Sequence, residues 1–229
     1  MNAKDIIVTG ASRGIGRAIG AKLAAAGHRV IAIARNESLL RELAEETGCY
    51  FISADLSDPE QIRRIAERIA EKKNGIDTLI HCAGIATVGT LDEYSLESWQ
   101  EIMEINLTAP FFLTQVLLPF INKSGHILFI NSTAGLQTFP EWGAYCVSKF
   151  GLKALADTLR AELKGKSIRV TSLYPASTDT DIHNTLPYNW NRKKMLTVEN
   201  VANAVVYCVE QPDNVSIKSI ELENFTGTF

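Results

Sequence analysis

The feature that most constrains the fold is an alternation, repeated along the whole chain, between short apolar runs and longer stretches with helical periodicity. The first short run, Asp5–Thr9, is continuously apolar from Ile6 to Val8, which is typical of a strand buried on both faces. Parallel strands need long crossover connections, and these are usually helices. The alternation therefore predicts an α/β fold in which helices cover both faces of a parallel sheet.

The pattern assigns seven strands and the helices between them. The predicted strands are 5–9, 29–34, 50–54, 78–81, 126–130, 168–173 and 217–222. The predicted helices are 15–26, 37–46, 60–73, 98–121 (interrupted at Asn106 and Pro110), 143–164 and 198–210. Because no linker or repeat divides the chain, residues 1–229 are predicted to form a single Rossmann-type, doubly wound domain.

Composition and charge exclude several classes of protein. A net charge of -3 and a pI near 5.9 argue against a partner that is a nucleic acid or an anionic membrane. No apolar run is expected to approach the length of a membrane-spanning helix, and residues 1–5 do not resemble a secretory signal. Neither the four cysteines nor the four histidines are spaced for a metal site. A cytoplasmic protein with free thiols and no metal is expected.

A glycine cluster joins the first strand to the first helix. It reads Thr9-Gly10-Ala11-Ser12-Arg13-Gly14-Ile15-Gly16. Glycines allow the backbone to approach a diphosphate, whose charge is stabilised at the positive N-terminus of a helix. An ordinary glycine-rich turn is the competing interpretation. The position after the first strand of a wound sheet favours phosphate binding.

Further motifs follow in a fixed order: Ala83-Gly84 after the fourth strand, Ser132 after the fifth, and Tyr145-x-x-x-Lys149 on a helix. With the glycine cluster, they resemble the short-chain dehydrogenase/reductase family from about residue 6 to residue 180. The resemblance implies an oxidoreductase that transfers a hydride between nicotinamide and a carbonyl or alcohol. Two positions depart from the family pattern. Cys82 stands where the family has a bracing asparagine, and Ala176 follows Pro175 where the family has glycine.

The resemblance also implies which residues line the cofactor. They are Gly10, Ser12, Arg13, Ile15 and Gly16 at the diphosphate, Asp55 and Leu56 at the adenine, and Ala83, Gly84, Tyr145, Lys149, Pro175 and Thr180 elsewhere.

The end of the second strand predicts the type of nicotinamide cofactor. NAD enzymes carry an acidic residue there, but this chain has Ala34 followed by Arg35. Arg35 and Arg13 could both bind a ribose 2′-phosphate, because guanidinium groups match phosphate geometry. Ordinary surface arginines are the alternative, and Glu37 is the one local feature that favours NAD. NADP(H) is the predicted cofactor.

Four residues are predicted to be catalytic: Ser132, Tyr145, Lys149 and Asn106. Tyr145 and Lys149 lie four positions apart, on one face of a helix. An ammonium group near a tyrosine is expected to lower the tyrosine's pKa, and Ser132 could hydrogen-bond the substrate oxygen, with Thr133 as a rival. By family resemblance, Lys149 also holds the nicotinamide ribose and the carbonyl of Asn106 holds a water linked to Lys149.

Segment 181–197 follows the sixth strand, where family members fold a cover over the substrate. It carries Tyr188, Trp190 and the triplet Arg192-Lys193-Lys194, and Trp142 is a further candidate for the pocket wall. One of the three cations could pair with a substrate carboxylate, or all three could be solvated surface charges. The short cover suggests a small substrate.

Several functions remain open at this point. The tail from Thr197 to Val215 resembles the branch that acts on small 3-hydroxy acids and aldehydes, and it lacks the V-D-G-G stretch usual in 3-oxoacyl-thioester reductases. A non-catalytic dinucleotide-binding regulator is a third possibility, against which the intact catalytic set argues. Apolar residues on several faces of helices 108–120 and 143–163 predict a homodimer or homotetramer.

Overall fold

The computed structural model describes residues 2–72 and 75–225 and contains one parallel sheet. Its strands are β1 (Asp5–Thr9), β2 (Arg29–Ala34), β3 (Tyr50–Ser53), β4 (Ile76–His81), β5 (Ile121–Ile130), β6 (Arg169–Pro175) and β7 (Ser219–Leu222). Their order is β3-β2-β1-β4-β5-β6-β7. The order reverses between β1 and β4, and in open parallel sheets ligands bind at the carboxyl ends of strands beside such a reversal.

In the described residues, seven α-helices connect these strands. They are α1 (Gly14–Ala25), α2 (Glu37–Thr47), α3 (Pro59–Ala70), α4 (Leu96–Met103), α5 (Ala109–Leu117), α6 (Gly143–Leu163) and α7 (Val198–Glu210). The predicted α/β class and doubly wound sheet are confirmed. The two chain ends, Met1 and residues 226–229, lie outside the described residues, as does Lys73 at the end of the predicted third helix.

The core lies on both faces of the sheet, because successive side chains of each central strand point to opposite sides. Ile6 and Val8 of β1 pack with residues of α1 and α7, whereas Ile7 packs with residues of α3 and α5. All three side chains are fully buried. The carboxyl end of β1, which leads into the glycine cluster, is therefore held by packing on both sides.

Some element boundaries differ from the sequence prediction. β4 and β5 begin at Ile76 and Ile121, which pair with each other ahead of the predicted strand starts. The fourth helix begins at Leu96, because the Ser95 hydroxyl caps it by accepting a hydrogen bond from the Ser98 N–H at 3.1 Å. At the start of α3, the Asp58 side chain accepts a hydrogen bond from the Glu60 N–H at 2.9 Å, and Pro59 occupies the first helical position.

The predicted interruption at Asn106 and Pro110 is a local widening of one continuous helix. The stretch Glu104–Thr108 forms a π-helical turn between α4 and α5. Such turns are typically found at functional sites. Pro110 has no N–H, so the carbonyl of Asn106, four residues before it, lacks its usual helical donor.

Within the described ranges, the helical stretch Leu96–Phe120 is long and apolar enough to cross a membrane by length and composition, contrary to expectation. Its apolar window is 44% buried. Leu113 and Leu117 are fully buried against the residues of α3. Core packing thus accounts for much of its apolar character.

Candidate active site

The turn between β1 and α1 requires glycine at several positions. Gly10 and Gly14 have φ angles of +66° and +55°. A Cβ atom added to Gly10 would lie 2.8 Å from Cα of Ala83, and one added to Gly16 would lie 2.3 Å from the carbonyl oxygen of Gly10. Gly10 is therefore packed against the loop after β4 and Gly16 against the turn itself, and neither position has room for a side chain.

The N-terminus of α1 opens into a cavity of about 400 Å³, which we call the glycine-turn cavity. Arg13 occupies the N-cap position without a capping side-chain hydrogen bond, and the first turn contains no acidic residue. The first N–H groups of α1 therefore have no side-chain acceptor at the cap. Of the predicted cofactor residues, the following line this cavity: Gly10, Ser12, Arg13, Ile15, Gly16, Arg35, Asp55, Leu56, Ala83, Gly84, Tyr145, Lys149 and Thr180.

Two arginines lie at the part of this cavity nearest the end of β2. Arg35 is more than half exposed, and its Nη1 lies 4.0 Å from Oδ2 of Asp55. An ion pair of that length on the surface contributes little stability. Arg13 is also exposed and lines the same cavity. Both guanidinium groups are thus available to an anionic ligand.

The end of β4, where Cys82 stands, is held by a side chain of β1. The hydroxyl of Thr9, at the end of β1, accepts hydrogen bonds from the N–H groups of Cys82 at 2.9 Å and Ala83 at 3.2 Å. It also donates to the carbonyl of Ile80 at 3.3 Å. Thr9 thereby holds the end of β4 against β1.

Asn106 is buried in the π-helical turn and fixes the loop that follows β4. Its side-chain Oδ1 accepts a hydrogen bond from the Ile85 N–H at 2.9 Å, and its Nδ2 donates to the Ile85 carbonyl at 2.9 Å. Nδ2 also lies 3.1 Å from the hydroxyl of Ser148 on α6. Asn106 lines neither of the two site cavities, but Ile85, which it holds, lines the glycine-turn cavity.

Tyr145 and Lys149 lie close together on α6, as their spacing predicts. The Lys149 Nζ is 5.6 Å from the centroid of the Tyr145 ring and donates a hydrogen bond to the Ile130 carbonyl at 3.2 Å. Lys149 is only 4% exposed, and burial lowers its pKa to about 8. Lys149 therefore lies in a buried, low-dielectric environment beside a carbonyl. There its ammonium can lose a proton close to neutral pH.

The expected lowering of the Tyr145 pKa by Lys149 is not observed. Desolvation by the surrounding protein raises the pKa of Tyr145 to about 12, and a hydrogen bond with Ser132 opposes that shift. Desolvation of the phenol outweighs the ammonium of Lys149, which lies 5.6 Å from the ring centroid and donates to the Ile130 carbonyl. The hydroxyl of Tyr145 is therefore protonated throughout the physiological range.

Ser132 follows β5 and points toward Tyr145 from the opposite side of the site. Its hydroxyl accepts a hydrogen bond from the Ala134 N–H at 3.1 Å, which caps a short 3-10 turn at Thr133–Gly135. The N–H of Ser132 is held by the side chain of Asn131 at 2.9 Å. The second oxygen lone pair and the proton of Ser132 remain for Tyr145 or a ligand.

Asn131 is a site residue that the sequence prediction missed. Besides holding Ser132, its Nδ2 donates to the carbonyl of Lys149 at 3.1 Å. A Cβ atom on Gly135 would lie 2.6 Å from its Oδ1, so the surrounding backbone is tightly packed. The sequence feature that could have indicated Asn131 is its position directly after β5 and directly before Ser132.

A second cavity of about 620 Å³, which we call the aromatic cavity, adjoins the first. It is lined by Ser132 and Pro175 and by residues of segment 181–197. The two cavities share Ile15, Ala86, Asn131, Tyr145, Thr180 and Ile182. Tyr145 therefore stands at their junction, with Ser132 on one side and Lys149 on the other.

Aromatic side chains form one wall of the aromatic cavity. The ring of Trp142 lies 5.5 Å from that of Tyr145 and 6.2 Å from that of Trp190, measured between centroids. Tyr188 lies 5.2 Å from Trp190, and its hydroxyl donates to the carboxylate of Glu141. The cavity volume of about 620 Å³ is within the usual range for pockets that bind drug-sized ligands. The cavity could therefore hold molecules larger than the small substrate that the short cover suggests.

The chemistry available at this junction is proton transfer, next to a cavity that exposes a helix N-terminus and two arginines. A protonated tyrosine, a serine hydroxyl and a buried ammonium converge there. Among the described residues, no group of three or more His, Cys, Asp or Glu side chains is placed to hold a metal ion.

Comparison with known proteins places this architecture among known enzymes. Residues 4–189 match the family model described as short chain dehydrogenase. The chain is 32% identical to the sepiapterin reductase of Chlorobaculum tepidum, over 97% of this chain and 96% of that protein.

Solved structures agree with this match. The alcohol dehydrogenase of Thermococcus sibiricus, complexed with 5-hydroxy-NADP, superposes with a TM-score of 0.90 at 26% identity over 99% of both chains. A serine dehydrogenase in its closed form with NADP+ gives a TM-score of 0.90 at 29% identity, over 98% of this chain and 96% of that one. With its glycine turn, its parallel sheet and Tyr145 and Lys149 on one helix, the chain belongs to the short-chain dehydrogenase family of oxidoreductases.

Proposed function

We propose that this chain reduces a carbonyl compound, or oxidises the corresponding alcohol or 3-hydroxy acid, with NADP(H) as cofactor. The observation that carries the proposal is the position of Tyr145 at the junction of two cavities. One cavity has the features of a dinucleotide site, and the other has room for a substrate. A hydroxyl at their junction can exchange a proton with a substrate oxygen beside the nicotinamide.

The glycine-turn cavity fits the cofactor. The side-chain-free backbone of Gly10, Gly14 and Gly16 and the uncapped N-terminus of α1 suit a diphosphate. Arg13 and Arg35 suit a 2′-phosphate, and no acidic residue occupies the end of β2. The bound NADP molecules in the two related structures support the same choice. When bound, the nicotinamide would supply or accept the hydride.

The side chains of this protein would handle the proton and position the substrate. In the direction of reduction, the Tyr145 hydroxyl donates its proton to the substrate oxygen as negative charge develops on it. The Ser132 hydroxyl donates a second hydrogen bond to that oxygen. The ammonium of Lys149 lies 5.6 Å from the centroid of the Tyr145 ring. Its positive charge stabilises the phenolate that remains after Tyr145 has donated its proton. Asn106 acts as a positioning residue through Ile85 and Ser148.

The substrate is proposed to be a small carbonyl compound held under a lid formed by segment 181–197. The related proteins include an alcohol dehydrogenase and a serine dehydrogenase, which supports a hydroxyl-bearing small molecule. The aromatic wall of Trp142, Tyr188 and Trp190 would cover its apolar part.

Turnover of aldehydes, ketones and hydroxy acids with NADPH or NADP+ tests this proposal. Tyr145→Phe is expected to reduce kcat by about 100-fold or more, which is the usual contribution of a general acid. Its affinity for NADPH, measured by fluorescence titration, should remain nearly unchanged. Tyr207→Phe is the control, because Tyr207 is exposed on α7 and lines neither cavity. If Tyr145→Phe retained a tenth of the activity, the proton donor would have to be another group.

A further inference from the structure

The three consecutive cations of segment 181–197 have different surroundings. Arg192 is committed to the protein: its guanidinium lies 2.6 Å from the Asp179 carboxylate, 2.6 Å from Oδ1 of Asn184 and 3.0 Å from the Thr180 carbonyl. Lys193 is exposed and does not line the aromatic cavity. Lys194 does line it, although its side chain is also exposed to solvent. The short 3-10 turn Arg192–Lys194, held by Arg192, therefore directs one lysine to the cavity.

The charge of Lys194 is not neutralised inside the aromatic cavity. Among the described residues that line this cavity, none is an Asp or a Glu. His183 lines it too, but burial lowers the pKa of His183, which favours the neutral ring. Glu141, which precedes Trp142 in the chain, accepts a hydrogen bond from the Tyr188 hydroxyl. Lys194 is thus the lone cationic side chain among the described residues that line this cavity.

The rest of the cavity combines apolar surface with the reactive groups. Trp142 and Trp190 form an aromatic wall, and Ser132 and Tyr145 present their hydroxyls. A substrate could place its carbonyl at Tyr145 and its hydrocarbon part against the aromatic wall. An anionic group on the same molecule could then bind the ammonium of Lys194. A cationic molecule would find no compensating charge there.

We infer that Lys194 is a specificity-determining residue, which selects carbonyl or hydroxyl substrates that carry a carboxylate. The inference rests on the proposed oxidoreductase function and names the substrate class for that site. The ammonium of Lys194 would donate a charge-assisted hydrogen bond to the carboxylate, while Arg192 keeps the turn in place. The neighbouring Lys193 supplies a matched control, since it carries the same charge on the same turn outside the cavity.

The test compares 4-carboxybenzaldehyde with its neutral methyl ester in the wild type and in Lys194→Gln and Lys193→Gln. Losing a hydrogen bond to a charged group corresponds to roughly 10- to 150-fold in affinity. In Lys194→Gln, kcat/KM for the acid should fall by about that factor and kcat/KM for the ester should remain unchanged. Lys193→Gln should change neither value. An equal loss for both substrates, or the same loss of acid activity in Lys193→Gln, would overturn the assignment.

A binding measurement separates this inference from the proposed function. Trp142 and Trp190 line the cavity, so benzoate and methyl benzoate should perturb tryptophan fluorescence when they bind to the NADP+-loaded protein. Benzoate should bind more weakly to Lys194→Gln than to the wild type, and methyl benzoate equally to both. This binding difference does not depend on catalysis. If neither aldehyde were turned over, that failure would count against the proposed reaction but not against the role of Lys194. Equal benzoate affinity in the wild type and Lys194→Gln would refute the role of Lys194.

Discussion

Lys149 carries its charge in a buried position, and this should limit the pH range of cofactor binding. Its pKa is lowered to about 8, so the ammonium predominates below pH 8 and the neutral amine above it. Since kcat/KM for NADPH reports the free enzyme, we expect it to be constant from about pH 6 to 7.5 and to fall about tenfold per pH unit well above pH 8. Steady-state kinetics with varied NADPH and a saturating carbonyl substrate would measure this pH profile of kcat/KM.

Two variants sharpen this test. Lys149→Ala should have a low kcat/KM for NADPH without the inflection near pH 8, because no ammonium remains to titrate. Lys153→Ala is the control on the same helix, since Lys153 is partly exposed and its ammonium lies 2.7 Å from the Asp157 carboxylate. It should keep the wild-type profile. A wild-type profile that stayed flat to pH 10 would show that the charge of Lys149 is not needed.

Arg35 should determine the preference for NADPH over NADH. Its guanidinium is mostly exposed and only loosely paired with Asp55, so a 2′-phosphate can recruit it at little cost. Arg35→Ala should weaken NADPH binding by roughly 10- to 150-fold and leave NADH binding nearly unchanged. Arg41→Ala, which removes an exposed arginine paired with Glu37 away from the cavity, should affect neither. Equal losses for both cofactors in Arg35→Ala would contradict the assignment.

At this scale, sequence motifs identify the residues that line the two cavities better than the residues that hold those side chains in place. Tyr145, Lys149 and Ser132 were named from the sequence and lie together in the structure. Asn131 was missed because its contacts, with Ser132 and with Lys149 eighteen positions away, depend on how β5 and α6 pack. The raised pKa of Tyr145 could not be foreseen either, since it depends on the desolvation of that ring.

At the scale of elements, the contact between the ends of β1 and β4 depends on one hydroxyl. Thr9→Val keeps the volume of the side chain but leaves the N–H groups of Cys82 and Ala83 without their acceptor. An unsatisfied buried donor costs about 1–3 kcal/mol, so the free energy of unfolding should fall by at least about that amount. Urea denaturation would measure the change. Thr9→Ser retains the acceptor and should be closer to the wild type, whereas identical stability in Thr9→Val would refute this account.

The elements themselves were largely predictable, because continuous apolar runs and capping residues are local signals. β1, β2 and α7 have the predicted bounds. The early starts of β4 and β5 were missed because Ile76 and Ile121 are separated from the apolar runs by polar residues and pair through the tertiary fold. Segment 181–197 has no periodicity of its own, so sequence could indicate its cations but not which of them faces the cavity.

For the whole molecule, buried histidines should make stability fall in acid. Burial lowers the pKa values of His81 and His126 to about 3, below the 6.5 of the unfolded chain. As pH falls below 6.5, the unfolded chain therefore gains protons that the folded chain does not accept, and stability is lost progressively towards pH 3. Each histidine can contribute up to about 1.4 kcal/mol per pH unit. Urea denaturation between pH 7 and pH 5 would measure this slope.

His126→Gln provides the comparison for this prediction. Glutamine does not titrate, and its amide can replace the 2.8 Å hydrogen bond between His126 and Thr171. The variant should lose stability less steeply in acid, by up to about 1.4 kcal/mol per pH unit. Parallel slopes for the variant and the wild type would mean that other groups control the acid sensitivity.

The apolar surface of α5 and α6 predicts that the protein works as a homo-oligomer. Phe111, Val147 and Phe150 are 46%, 45% and 39% exposed, and helices with apolar residues outside the core are usually covered by another subunit. Sedimentation velocity should therefore give a dimer or tetramer of the 25.2 kDa chain at micromolar concentration. Phe111→Asp combined with Val147→Asp should shift it toward the monomer while circular dichroism remains native. Tyr50→Asp, an equally exposed change on the edge strand β3, should not, and a wild type that sediments only as a monomer would contradict the prediction.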